Sequence, residues 1–208
     1  MRTIHCGDAL AFLANKDAMN DASCVTSLPD ISELEGSDLE SWSAWFCGVA
    51  TTIMERVPPD GVAIFYQTDV FRFGRWIDKS AILFRAAHAA TSHLLWHKIV
   101  CRVPVGAVSE GRPGYAHMLC FSRELTHART APTADVIADV GSKDWSRAMG
   151  RNACLVACTW IRDNTRTKTV VDPFCGTGTV LAVANDLGLN AVGVEIDKDR
   201  ATRAETRR

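Results

Sequence analysis

No apolar run in the chain approaches the roughly 18 consecutive residues that a helical membrane span requires, so no such span and no membrane partner are expected. A dominant charge is also missing. Twenty-three Lys and Arg against twenty-four Asp and Glu leave a formal charge of −1, without the basic footprint of a non-specific nucleic-acid binder. Any nucleic-acid site must therefore be a local patch. The eight cysteines (Cys6, Cys24, Cys47, Cys101, Cys120, Cys154, Cys158 and Cys175) include no pair at the two-residue spacing of zinc knuckles and redox motifs. The segment Met1 to Asp8 lacks an apolar stretch of signal-peptide length, so reduced thiols and an intracellular location are expected. Internal repeats and low-complexity tracts are absent, and 208 residues suffice for one domain, taken here as residues 1–208.

What is present is an alternation of short β-rich runs with helical patterns, which implies an α/β protein with a mostly parallel sheet. Strands are predicted at Thr3 to Cys6, Ala22 to Ser27, Val62 to Gln67, Leu94 to Val100, Tyr115 to Ser122, Thr169 to Asp172 and Ala191 to Val194. The fourth and fifth of these follow each other closely and suggest an antiparallel pair at a sheet edge. Trp42, Trp45, Phe46, Val49, Ile53 and Met54 recur at helical spacing between Leu39 and Val57. Further helices are expected at Ala9 to Asn15, Phe71 to Ala90, Asp144 to Asp163 and Asp199 to Arg208. Leu125 to Val140 has no clear period and reads as a mobile connection.

The most informative segment is Asp172-Pro173-Phe174-Cys175-Gly176-Thr177-Gly178-Thr179, between a β-branched strand and an Ala/Val/Leu helix. Glycines at such a turn let the backbone approach a ligand. Leu181 stands where a dinucleotide fingerprint needs its third glycine, which argues against NAD or FAD. The next strand ends in Glu195, where a carboxylate can accept both hydroxyls of a ribose.

This string, with the later Glu195-Ile196-Asp197, resembles the S-adenosylmethionine site of nucleic-acid amino-methyltransferases. The resemblance implies a circularly permuted, Rossmann-like class I methyltransferase fold. Gly7-Asp8-Ala9-Leu10 resembles the adenine-binding strand end, and Ser27-Leu28-Pro29-Asp30 occupies the catalytic position, both ahead of the glycine loop. It implies cofactor contacts from Asp8, Ala9, Asp172, Pro173, Phe174, Cys175, Gly176, Gly178, Thr179, Glu195 and Ile196. The family's catalytic loop carries a polar residue, two prolines and an aromatic that stacks on the extruded base. Ser27 and Pro29 keep part of that pattern, with the Leu28 carbonyl as a second acceptor for the target amine, whereas Asp30 forfeits the stack.

Asp30 has three readings: a general base, a hydrogen-bond acceptor for a base edge, or a turn residue. Phe71 and Phe73 could replace the lost aromatic surface or be core residues on a helix face. His93, His97 and His117 read as satisfied strand histidines, and Cys154 with Cys158 as core, with no metal expected. Arg72, Arg75, Lys79, Arg102 and Arg112 form either a phosphate-contacting rim or a solvated face.

The function implied is transfer of a methyl group to a nucleic-acid base amine, RNA slightly ahead of DNA because the chain leaves little room for a target-recognition domain. A ring nitrogen, a protein or a small molecule is the alternative acceptor. From another class comes a catalytically silent cofactor-binding subunit with a protein partner.

Overall fold

The computed structural model describes residues 1–34, 36–126, 133–143 and 148–207. Its elements in chain order are β1 (Arg2–Cys6), α1 (Ala9–Ala14), β2 (Ala22–Thr26), a 3-10 turn (Ile31–Glu33), α2 (Leu39–Arg56), β3 (Ala63–Gln67), β4 (Val70–Arg72), β5 (Arg75–Ile77) and α3 (Lys79–Ala89). They continue with β6 (His93–Cys101), β7 (Tyr115–Ser122), β8 (Val136–Ile137), α4 (Arg151–Asn164), β9 (Thr169–Asp172), α5 (Thr179–Asp186), β10 (Asn190–Glu195) and α6 (Lys198–Thr206).

Eight strands form one sheet in the order β1-β10-β9-β2-β3-β7-β6-β8. The first five run parallel, and β7 pairs antiparallel with both β3 and β6. Alternate residues of the central strands point to opposite faces. Ile64, Met118 and Val170 pack with α4 and α5, whereas Phe65, Leu119 and Val171 pack with α2 and α3. Both faces are apolar because helices cover both, which is the reason central strands read as continuous hydrophobic runs. This is a doubly wound, Rossmann-like α/β fold, and in such sheets ligands bind beyond the carboxyl ends of the strands.

The N-terminal strand lies beside the last one, with Arg2 opposite Ala191 and Cys6 opposite Glu195. Arg2 secures this edge by donating to Asn185 Oδ1 and to the carbonyls of Ala204 and Arg207.

Three sequence expectations change. The expected helix from Phe71 to Ala90 is the β4–β5 hairpin followed by a shorter α3. Phe73 and Gly74 both have positive φ, turning the chain back, and the Asp78 side chain accepts from Ala81 N–H to start the helix afresh. The expected helix from Asp144 begins at Arg151, and its residues 144–147 lie outside those described. The connection from Leu125 to Val140 contains β8, which adds a parallel partner to β6, and its residues 127–132 also lie outside those described.

Candidate functional site

Cys175 N–H donates to the Val194 carbonyl and Gly178 N–H to the Cys175 carbonyl, folding the glycine loop tightly between β9 and α5. Gly176 and Gly178 have φ of 54° and 80°, which L side chains rarely adopt. A Cβ on Gly178 would also lie 2.9 Å from Ala204 Cβ, so this glycine serves the packing of α6 against the loop. The close helix–strand approach that a third glycine gives in dinucleotide folds comes here from the opposite partner. Gly193 on β10 makes room for Leu181 and Cys175.

Three strand ends each present a carboxylate. Asp172 Oδ1 accepts from Thr26 Oγ1 at 2.7 Å and from Phe174 N–H at 3.1 Å. Glu195 Oε1 accepts from Asp197 N–H at 2.9 Å. Asp8 Oδ1 caps α1 through the N–H groups of Leu10 and Ala11. In each case one oxygen is anchored, and among the described residues nothing donates to the other. Burial pushes the Asp172 carboxyl up to about 7; the hydrogen bonds from Thr26 and Phe174 pull it back, and the charge of Glu195 pushes it further up.

These acids line one cavity of about 390 Å³. Ala9, Pro173, Phe174, Cys175, Gly176, Thr179 and Ile196 line it too, as do Ser27, Leu28 and Pro29. Two of the residues singled out in the sequence are not on its wall: Gly178 lies behind the loop against Ala204, and Asp30 faces a neighbouring recess. Trp45 is a wall residue that periodicity placed with Trp42 on a buried face. Trp42 is buried, but Trp45, three residues on, tilts to the cavity with its ring 6.2 Å from that of Phe174. Arg200 of α6 also reaches the wall.

The loop after β2 is held at several points. Trp42 Nε1 donates to the Pro29 carbonyl, and Asp30 caps the 3-10 turn through Ile31 N–H while its own N–H donates to Glu33 Oε1. Lys79 Nζ lies 3.7 Å from Asp30 Oδ1 and over the Trp42 ring. Lys79 is buried rather than part of a solvated rim, and desolvation lowers its pKa against the pull of Asp30. Asp30 thus has a demonstrable structural role as a turn cap.

Ser27 and Leu28 stand where the large cavity meets the smaller recess. Tyr66, Gln67, Lys79, Arg102, Arg112 and Lys143 line the latter. Tyr66 and Gln67, 4% and 1% exposed, read in the sequence only as strand residues. Among the described residues the Tyr66 hydroxyl and the Gln67 Nε2 are buried without a hydrogen-bond partner. Buried polar groups are nearly always paired, and these two orphans line the same recess. A polar residue at the end of an otherwise apolar strand was the available signal.

The remaining candidates sort as follows. His97 Nε2 lies 3.0 Å from His117 Nδ1, whose Nε2 lies 3.1 Å from Asp69 Oδ2, and His93 bonds the Leu125 carbonyl. Asp69, Asp78 and His117 bring one ligand atom each within 4.8 Å of one another, but Asp69 also accepts from Lys79 N–H and Asp78 caps α3. Cys154 and Cys158 are buried in the core facing α5. Phe71 and Phe73 are neither helical nor buried, at 46% and 81% exposure.

A doubly wound sheet with a glycine loop and strand-end acids around one cavity is a Rossmann-like α/β arrangement, and the comparisons with known proteins narrow it to the methyltransferase fold. A protein-family model described as DNA methylase matches residues 160–206, the stretch from the end of α4 through α6. Among solved structures, a protein of Thermus thermophilus described as a candidate DNA modification methylase, complexed with S-adenosyl-L-methionine, superposes with a TM-score of 0.73. It is 21% identical, and the match covers 100% of this chain and 94% of that one. The PvuII DNA methyltransferase (cytosine-N4-specific) gives 0.77 at 13% identity over 98% of this chain and 85% of that one. The M1.HpyAVI–SAM complex gives 0.66 at 14% identity, covering both chains fully. No curated protein matches by sequence.

Proposed function

We propose that the protein is an S-adenosylmethionine-dependent methyltransferase acting on an amine of a DNA base. The observation that carries the reading is the set of three strand-end carboxylates, each anchored through one oxygen, around a cavity that opens onto Ser27 and Leu28. S-adenosylmethionine supplies a sulfonium-activated methyl group together with a ribose diol and a cationic ammonium. The residues fit those groups: Glu195 offers a free oxygen to the diol, and Asp172 a carboxylate to the ammonium. Asp8 and Phe174 flank the adenine. Ser27 Oγ and the Leu28 carbonyl accept the hydrogens of the target amine, which keeps its lone pair directed at the methyl carbon. The donors of the smaller recess face the acceptor atoms of the base.

The strand order supports a permuted arrangement, since the unit β9–α5–β10 follows the acceptor loop in the chain yet lies between β1 and β2 in the sheet. The sequence favoured RNA slightly. The DNA methylase description of the matching family model, and DNA enzymes among the structural neighbours, move the acceptor to DNA.

The test has two parts. Calorimetry should show S-adenosylhomocysteine binding to the protein, weakened roughly ten- to hundredfold in Glu195→Ala, which leaves the ribose hydroxyls without their acceptor; unchanged affinity would refute the site. Incubation with methyl-labelled cofactor and, separately, DNA, RNA and protein should label the DNA. Cofactor binding with no transfer to any pool would favour the silent subunit, a reading that the capping role of Asp30 supports.

A further inference from the structure

We propose that the β4–β5 hairpin is a nucleic-acid grip that presses arginines onto phosphates and aromatic rings onto bases beside the acceptor recess; this rests on the DNA-methylating reading above. Its register sorts the side chains. Phe71 lies opposite Trp76 and Arg72 opposite Arg75, and facing pairs in a two-stranded ribbon share a face. One face therefore carries the aromatic pair, and the other carries the arginines beyond a pair, Val70 and Ile77, that packs on the core, with Phe73 at the tip.

Each feature is costly to the free protein and is relieved by the same partner. Phe71, Phe73 and Trp76 are 46%, 81% and 54% exposed, an apolar patch on a hairpin that has no core of its own. Phe71 and Trp76 support one another with ring centroids 5.2 Å apart, so the patch is ordered by its own contacts. Phe73 has φ of 51°, a conformation that bulky residues rarely hold and that projects its ring from the turn. Arg72 and Arg75 are like charges directly opposite each other, and neither has an acidic partner among the described residues.

An anion between the two guanidiniums removes their repulsion. A flat apolar surface against the rings removes their exposure. A polynucleotide offers both at the spacing of adjoining phosphates and bases, whereas an apolar protein surface would leave the arginines unpaired and an acidic one would leave the rings wet. The location agrees. The hairpin follows β3, the strand adjoining β2 and its Ser27 loop, and Phe71 and Arg72 share a small recess with Asp30 and Arg112. Aromatic surface missing from position 30 is thus present next to it, in a recess that adjoins the one below Ser27 through Asp30 and Arg112, where a ring can fill the gap left in a duplex by an extruded base.

The experiment measures anisotropy of a fluorescein-labelled, mixed-sequence DNA duplex with full-length protein saturated with S-adenosylhomocysteine, across a salt series. Phe73→Ala should weaken binding roughly ten- to hundredfold. Arg72→Gln combined with Arg75→Gln should weaken it and flatten the slope of log affinity against log salt by about 2, one phosphate for each arginine. Arg72→Gln alone should leave the melting temperature unchanged or raised, because it removes one of two facing like charges; a lowered one would make the pair structural and overturn the proposal. Cofactor affinity should be unchanged in all variants, since the hairpin does not line the cofactor cavity. Variants that bind DNA as the parent does, or a parent that binds RNA or protein but no duplex DNA, would overturn the grip. A parent that fails to bind cofactor would instead overturn the methyltransferase reading on which the grip rests.

Discussion

The two halves of the crevice are built differently. Around the glycine loop, each acid is anchored by a hydrogen bond, the positive-φ positions are glycines, and Gly193 and Gly178 admit their neighbours without strain. Around the Ser27 loop, the structure holds a buried lysine and two orphaned polar groups, and the hairpin after β3 adds a facing pair of arginines and a phenylalanine at positive φ. The glycine-loop half is held together by its own hydrogen bonds, with Asp172 as its strained group. The Ser27 half and the hairpin beside it carry several unfavourable features at once, which is what the proposed function expects of a surface that receives the DNA.

The largest expected departure from this contrast concerns Asp172, the least comfortable group of the cofactor half. Its carboxyl is raised from an ordinary value near 3.8 to about 7. A group that holds its proton better when folded stabilises the native state fully below its unfolded value, and that contribution drains as pH rises through the folded one. Without cofactor, stability should therefore fall between about pH 4 and pH 7, by up to about 4 kcal/mol. Asp172→Asn should flatten that decline in urea melts. Cofactor affinity should rise over the same interval in the parent protein, as the ionised carboxylate becomes available to the ammonium, and lose that dependence in the variant.

A smaller effect separates Ser27 from Asp30. If Ser27 and the Leu28 carbonyl orient the amine, Ser27→Ala should lower the single-turnover rate about ten- to hundredfold, a loss of about 1–3 kcal/mol, with cofactor affinity intact. Asp30→Asn keeps a capping oxygen and should change the rate little, since a methylated amine sheds its proton readily. A loss of about 10²–10⁴ in Asp30→Asn would make it a general base and point to a protonated acceptor instead.

The smallest effect sharpens the contrast most. Gln67→Met replaces an orphaned buried amide by an apolar chain of similar shape and should stabilise the protein by about 1 kcal/mol in thermal melts while reducing DNA methylation. A melting temperature that falls would mean that the amide is structural and that the recess is not a ligand wall.

Legibility followed the range of the interactions. Asp172 to Thr179 was readable because strand, glycine turn and helix are set by neighbours in sequence, and the strand-end positions of Glu195 and Asp8 follow from a period of two and a cap. The hairpin was misread because Phe71, Phe73, Trp76 and Ile77 are apolar at irregular steps, and the decisive signs were local but weak: Phe73-Gly74 as a two-residue turn and Asp78 as a fresh cap. Lys79 read as a surface charge because nothing in sequence places Trp42 and Asp30 around it.

By itself the sequence determined the α/β class, the glycine turn and the strand-end acids beside it, since these rest on periodicity and local backbone preference, and the order of its motifs placed the N-terminal strand beside the last one. Only the tertiary structure decided that Gly178 serves Ala204 and not the cavity wall, that Asp30 turns away to cap, and that among the described residues the Tyr66 hydroxyl and the Gln67 Nε2 are left without a hydrogen-bond partner. The reason is physical. Each of these depends on groups far apart in the chain sharing one buried volume, and what a side chain meets there is set by packing between elements rather than by its neighbours in sequence.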